Sequence, residues 1–165
     1  MAIWKAKSTL LIVGEGQSEV AFLNHVKQLF SARGDGRQIK IKNAQGGGAK
    51  HVIDWTLSQK LNADYDIVAV IFDTDTICWT EKVKSDAKKN RIHLLTSEPC
   101  LEGMLLRALG KSDKGDSKEL KNRFSPFVNG DSTVTENYAK YFTKKILMES
   151  KEKTIQQLLK LIQSQ

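Results

Sequence analysis

The sequence predicts an α/β protein: a three-layer fold with a mostly parallel sheet of about four strands and helices on both faces. Three observations carry this expectation. Apolar runs of strand length alternate with segments whose apolar residues recur every three or four positions. Such alternation requires parallel pairing through crossovers, with helices covering the sheet on both sides. The runs Thr9–Val13 and Ile67–Phe72 are apolar throughout, as strands buried on both faces are.

The elements follow in order. Thr9–Val13 reads as a buried strand stopped by Gly14 and Gly16. Ser18–Ser31 reads as a helix, with Phe22, Val26, Leu29 and Phe30 on one face. Arg33-Gly34-Asp35-Gly36 is a turn, and Gln38–Ala44 is a half-exposed strand in which Ile39 and Ile41 alternate with Lys40 and Lys42. Gly46-Gly47-Gly48 breaks that strand before a helix over Ala49–Leu61, whose Ile53, Leu57 and Leu61 stand four apart. Ile67–Phe72 is the most apolar strand. A short charged helix over Glu81–Lys89 and a fourth strand over Ile92–Thr96 come next. Pro99 suits the first turn of a helix carrying Leu101, Leu105 and Leu109, which Gly110 closes. The charged, Gly-containing segment Lys111–Arg123 reads as a loop. Thr133-Val134-Thr135-Glu136 has the form of a capping box, opening a helix that runs to about Met148. Ile155, Leu158, Leu159 and Ile162 mark a final amphipathic helix.

At 165 residues the chain is expected to form one domain: a core over 1–110, and a basic loop and helical extension over 111–165 packed on the same domain. A composition 40% hydrophobic and 27% charged argues against disorder. No apolar run approaches the roughly 18 residues of a membrane span, so no membrane is expected as partner. The first apolar run is short, is broken by Glu15 and is followed by no small-residue cleavage site, so no signal peptide is read. Cys78 and Cys100 stand alone, without metal-ligand spacing, which fits a reducing cytoplasm and argues against zinc. The net charge of +7 favours polyanionic partners modestly, against the plainer reading of a Lys-rich solvated surface.

Chemistry is expected at the carboxyl ends of the strands, where parallel sheets bind ligands. The first strand ends in Gly14-Glu15-Gly16-Gln17-Ser18-Glu19, the third in Phe72-Asp73-Thr74-Asp75-Thr76, and the fourth in Ser97-Glu98-Pro99-Cys100-Leu101-Glu102. All three deliver carboxylates to one edge, where they would repel one another. A divalent cation removes that repulsion, and magnesium takes a few carboxylate oxygens plus waters at about 2.0–2.1 Å. For these acids to act together the first and third strands must be neighbours, with Glu15 and Asp73 within about 10 Å.

These residues carry a family resemblance. A strand followed by G-E-G-x-S-E, then an apolar strand ending in D-x-D, resembles the Toprim domain of topoisomerases, primases, OLD-family nucleases and small defence proteins. Ser97-x-Pro99-Cys100-x-Glu102, running into an apolar helix, is similar to the RloB-like branch, with Leu101 in place of the usual aromatic. The resemblance covers roughly residues 7–110. It implies that Glu15 is the catalytic glutamate, acting as general acid/base or metal ligand. It further implies that Asp73 and Asp75 are the metal-binding pair, that Glu19 matches the second glutamate of OLD-like nucleases, and that Glu102 matches the late acidic motif. The implied activity is magnesium- or manganese-dependent cleavage of phosphodiesters in nucleic acid, with a role in phage defence. A separate ATPase or restriction-type subunit and an oligomer are compatible with it. Lys50, Lys82, Lys84 and Arg91 are the candidate phosphate contacts, and the basic runs Lys82–Arg91 and Lys111–Arg123 the candidate tracks.

Other readings compete. Asp73-Thr74-Asp75-Thr76 also resembles the nucleophile loop of haloacid-dehalogenase-type phosphatases, with Thr96 or Ser97 and Gly130-Asp131 as later motifs. That reading leaves Glu15 and Glu19 without a task. A Toprim domain that binds nucleic acid or assembles without cutting is a further alternative. Gly14-x-Gly16 is not a dinucleotide fingerprint, because Glu19 stands where the third Gly belongs. Gly46-Gly47-Gly48-Ala49-Lys50 is not a P-loop, because His51 stands where Ser or Thr should be.

Overall fold

The computed structural model describes residues 8–31, 37–75 and 80–163. The Arg33–Gly36 turn, Thr76, Cys78, Trp4 and Trp79 lie outside the described residues. Four strands form one sheet: β1 (Thr9–Gly14), β2 (Gln38–Asn43), β3 (Ile67–Asp73) and β4 (Ile92–Ser97). Their order is β2-β1-β3-β4, and every pairing is parallel. The helices are α1 (Gln17–Phe30), α2 (Gly48–Asn62), α3 (Glu81–Lys89), α4 (Leu101–Ala108), α5 (Ser117–Phe124), α6 (Lys144–Glu149) and α7 (Lys153–Gln163).

Parallel pairing forces each helix to carry the chain back to the starting edge of the sheet. From β1 the chain steps outward to β2, then back across β1 to β3 and on to β4. With right-handed crossovers, that reversal places α1 on one face and α2 and α3 on the other. The core follows the same division. Leu10, Ile12, Ala69 and Ile71 pack with α1, α4 and the helices beyond, while Leu11, Val13, Val68, Val70 and Phe72 pack with α2 and α3. Successive strand residues face opposite layers, and both layers are apolar here, so β1 and β3 have no polar alternation. The fold is therefore three-layer α/β with an all-parallel sheet of four strands.

The reversal also makes β1 and β3 neighbours whose connections leave in opposite directions, with Gly14 in register with Ile71. A crevice opens outside the carboxyl ends of two such strands.

The segment from Lys111 onward differs from its sequence-based reading. Ser117–Phe124 is a helix rather than a loop: Asp116 caps it by accepting from the Glu119 N–H at 2.8 Å, and Leu120 and Phe124, one turn apart, are buried. The expected helix from Thr133 to Met148 is a 3₁₀ turn over Thr135–Tyr138 followed by the short α6. Asp131 is the reason. Its carboxylate takes both the N–H and the hydroxyl of Thr133, so Thr133 is held in a turn and cannot cap a helix. Thr143 caps α6 instead.

These later elements share one core with α1 and α4. Tyr138, Phe142, Leu147, Ile155 and Leu158 are fully buried in the cluster that contains Phe22 and Leu105. His25 of α1 is buried and its Nε2 lies 2.6 Å from the Phe142 carbonyl oxygen, so that nitrogen carries the proton and donates. Arg107 of α4 binds Glu152 through two nitrogens, at 2.8 and 3.3 Å. The Thr154 hydroxyl donates to the Thr96 carbonyl at 2.7 Å, covering part of the β4 edge.

Candidate metal centre

Glu15 is the first residue beyond β1, and its N–H still donates to Ile71 of β3. Asp73 is the last residue of β3, and its N–H donates to Glu15 Oε2 at 3.1 Å. Asp73 Oδ1 in turn accepts from the N–H of Leu101, the first residue of α4, at 2.9 Å. Glu19 comes from the first turn of α1, where the Gly16 N–H holds its Oε2 at 3.1 Å. One carboxylate oxygen from each of Glu15, Glu19 and Asp73 lies within 4.8 Å of the other two. Gly14 permits this closeness, since a Cβ there would sit 3.1 Å from Glu19 Cβ and from Val20 Cγ2.

Glu102, the second residue of α4, is buried, and its Oε2 has no hydrogen-bond partner. The Ser97 hydroxyl, on the residue in register with Asp73, is likewise buried and unpartnered. Asp75 is exposed and stands outside the tight triad. Its Oδ2 accepts from the Ser117 hydroxyl at 2.6 Å. The loop after β3 is stitched to the loop after β4 by Thr74 N–H to Ser97 O and Asp75 N–H to Pro99 O.

Burial pushes the Asp73 carboxyl up to about 8, and the surrounding Glu19, Glu102, Asp75 and Glu15 add to the effect. Burial also pushes Glu19 up to about 7, with Glu15 and Glu102 adding and backbone hydrogen bonds opposing. Cys100, at the N-cap of α4, has its thiol pushed up to about 11 by burial, so it is not a thiolate nucleophile near neutral pH.

The residues fit a hard divalent cation. The donor set is all oxygen, as magnesium and manganese prefer. A buried carboxylate oxygen without a partner is costly, and it stands beside acids whose mutual repulsion a cation would cancel. Glu19, Asp73 and Glu102 would share the ligation, with Glu15 beside them as proton acceptor and Asp75 at the open side.

Scans against protein-family models, curated proteins and solved structures find no match to this chain.

The candidate phosphate contacts are scattered. Lys50 lies in the first turn of α2, exposed, with its ammonium on Asp54 at 2.8 Å. Lys82 and Lys84 open α3, which starts on the same side of the sheet as the acids, and Lys84 pairs with Glu81. Arg91 does not join them: it immediately precedes β4, at the amino edge of the sheet, a strand length away from Asp73. The late phosphatase motif does not join the acids' hydrogen-bond set either, since the Asp131 carboxylate is turned onto Thr133. Ser117 was hidden in the sequence because its segment reads as a charged loop. The signal was present in Asp116-x-x-Glu119 followed by Leu120 and Phe124, an N-cap pattern with one buried face.

Proposed function

We propose that this chain is a Toprim-type phosphodiesterase that cleaves nucleic acid with magnesium or manganese. The observation that carries the reading is the convergence of Glu15, Glu19 and Asp73 oxygens beside the buried, unpartnered Glu102 Oε2, at the point where the strand order reverses. A divalent cation held there supplies polarisation of a phosphoryl oxygen and a more acidic water. The chain's own residues do the rest. Leu101 N–H fixes one oxygen of Asp73, so that carboxylate is oriented before any ligand arrives. Asp73 N–H fixes Glu15 Oε2, which leaves Oε1 of Glu15 to accept a proton from an attacking water. Buried Glu19 and Glu102 contribute charge at the enclosed side and keep the site from facing solvent all round. The resemblance to RloB-like and OLD-like proteins supports a role against foreign nucleic acid.

The test is direct. Purified protein is incubated with plasmid DNA and with RNA in magnesium, manganese or EDTA, beside Asp73→Asn. Cleavage that needs metal and fails in the variant is the expected result. Binding without cleavage would instead make the chain an assembly module. Phosphate released only from a small phosphomonoester would make it a phosphatase. Among the described residues no helix is long and apolar enough to cross a membrane.

A further inference from the structure

The segment after α4 brings more than packing to the site. Residues 111–165 hold eleven Lys and Arg against seven Asp and Glu, so a third of the chain carries +4 of its net +7. Its first helix, α5, begins at the acids: the hydroxyl of Ser117, its first residue, is bonded to Asp75. Leu120 and Phe124 bury the inner face of α5. Lys121 stands four residues after Ser117, so it follows on the same flank one turn away, about 6 Å along the axis. Lys118 lies beside it, and both are exposed.

Among the described residues, the ammonium groups of Lys118 and Lys121 have no carboxylate partner. Two nearby acids are committed elsewhere, and the exposed Glu119 of α5 pairs with neither lysine. Asp113 pairs with Arg107 at 3.0 Å, and Asp116 accepts the helix-capping N–H of Glu119. Unneutralised lysines starting within one helical turn of the Ser117–Asp75 bond, at the open side of the acid cluster, attract an anion too large to be neutralised by the metal alone. A phosphodiester strand is such an anion, since its charges repeat along its length.

We propose that α5 is the rail for the substrate backbone, with Lys118 and Lys121 contacting phosphates next to the one held at the acids. This rests on the nuclease reading for the identity of the substrate, but binding along α5 requires no cleavage. The Ser117–Asp75 bond sets the start of the rail against the site, so the strand leaving the acids runs down this flank and not across α2.

The experiment measures binding alone, in EDTA, of the full chain to fluorescently labelled single-stranded DNA, duplex DNA and RNA of one length, over a series of salt concentrations. The double variant Lys118→Gln/Lys121→Gln is compared with Lys88→Gln/Lys89→Gln, which removes the same charge from exposed residues in the last turn of α3; like Arg91 these lie at the amino edge of the sheet, off the track that the basic run suggested in sequence. The α5 variant is expected to weaken binding and to flatten the slope of log K against log salt by about 0.7–0.9 for each phosphate that is no longer neutralised. The α3 variant is expected to keep the wild-type slope. The polymer bound most tightly by the wild type at a fixed salt concentration is the preferred strand. Equal slope changes in both variants, or no binding of the wild type to any of the three, overturns the rail. Binding along α5 without metal-dependent cleavage would keep the rail and sink the nuclease.

Discussion

The backbone N–H of Asp73 donates to Glu15 Oε2 at 3.1 Å, so the two acids that close β1 and β3 are joined before any ligand binds. The bond separates their tasks. Asp73 has its Oδ1 oriented by Leu101 N–H, while Glu15 has one oxygen pinned to the backbone. Asp73→Asn removes ligand charge and keeps shape, so it is expected to weaken manganese binding at least tenfold, the effect of about 1.4 kcal/mol, and to abolish cleavage. Glu15→Gln retains the hydrogen bond through its amide oxygen and loses the proton acceptor. It is expected to lower cleavage by about 10²–10⁴-fold while changing manganese affinity much less. Calorimetric titration and a nicking assay on both variants check this. Full activity of Glu15→Gln on every phosphate substrate would sink the mechanism.

The raised Asp73 and Glu19 make a prediction about stability. In the unfolded chain both carboxyls lose their protons near pH 4. Folded, Glu19 keeps its proton to about 7 and Asp73 to about 8. Between those limits the folded state binds more protons than the unfolded state, so stability falls as pH rises. The metal-free protein is therefore expected to melt at a lower temperature at pH 8 than at pH 5. Added magnesium or manganese, which binds the ionised acids, should restore the loss at pH 8 and do little at pH 5. Thermal melts in EDTA and in metal at both pH values decide it.

Much of this arrangement was legible in the sequence, for identifiable reasons. β1 and β3 are buried on both faces, so their uninterrupted apolar runs mark them without ambiguity, and the residues that end them had to share an edge. What was not legible depends on contacts distant in sequence. Ser117 meets Asp75 across 42 positions, and its helix is so charged that only Leu120 and Phe124 betray a buried face. The Thr133–Glu136 pattern was misleading because Asp131, two residues earlier, competes for Thr133. Arg91 belongs to a basic run in sequence, yet the return path of α3 carries it away from the acids.

Glu102 raises both Asp73 and Glu19 from its buried position, and its own Oε2 is unpartnered. Glu102→Gln removes that charge at nearly constant shape. The metal-free protein is expected to gain melting temperature at pH 8, because two neighbours ionise with less opposition. The further gain on adding manganese should shrink, since one ligand charge is gone. A variant that melts as the wild type does, with and without metal, would show that Glu102 is outside the centre.

The last helix is the remaining question, because chain ends often fray without consequence. Here α7 buries Ile155, Leu158, Leu159, Leu161 and Ile162, and Leu158 is fully enclosed. Leu158→Ala alone is expected to cost about 2–5 kcal/mol, a large share of the roughly 5–15 kcal/mol that holds a domain together. Deleting Lys151–Gln165 removes that face together with Glu152, leaving Arg107 of α4 without its two-nitrogen partner. It also uncovers the β4 edge at Thr96, and an unpaired strand edge recruits other chains. The deletion is therefore expected to lower the melting temperature sharply and to shift the solution mass upward. A frayed tail would leave both unchanged, so melting and light scattering on the truncated chain distinguish the two.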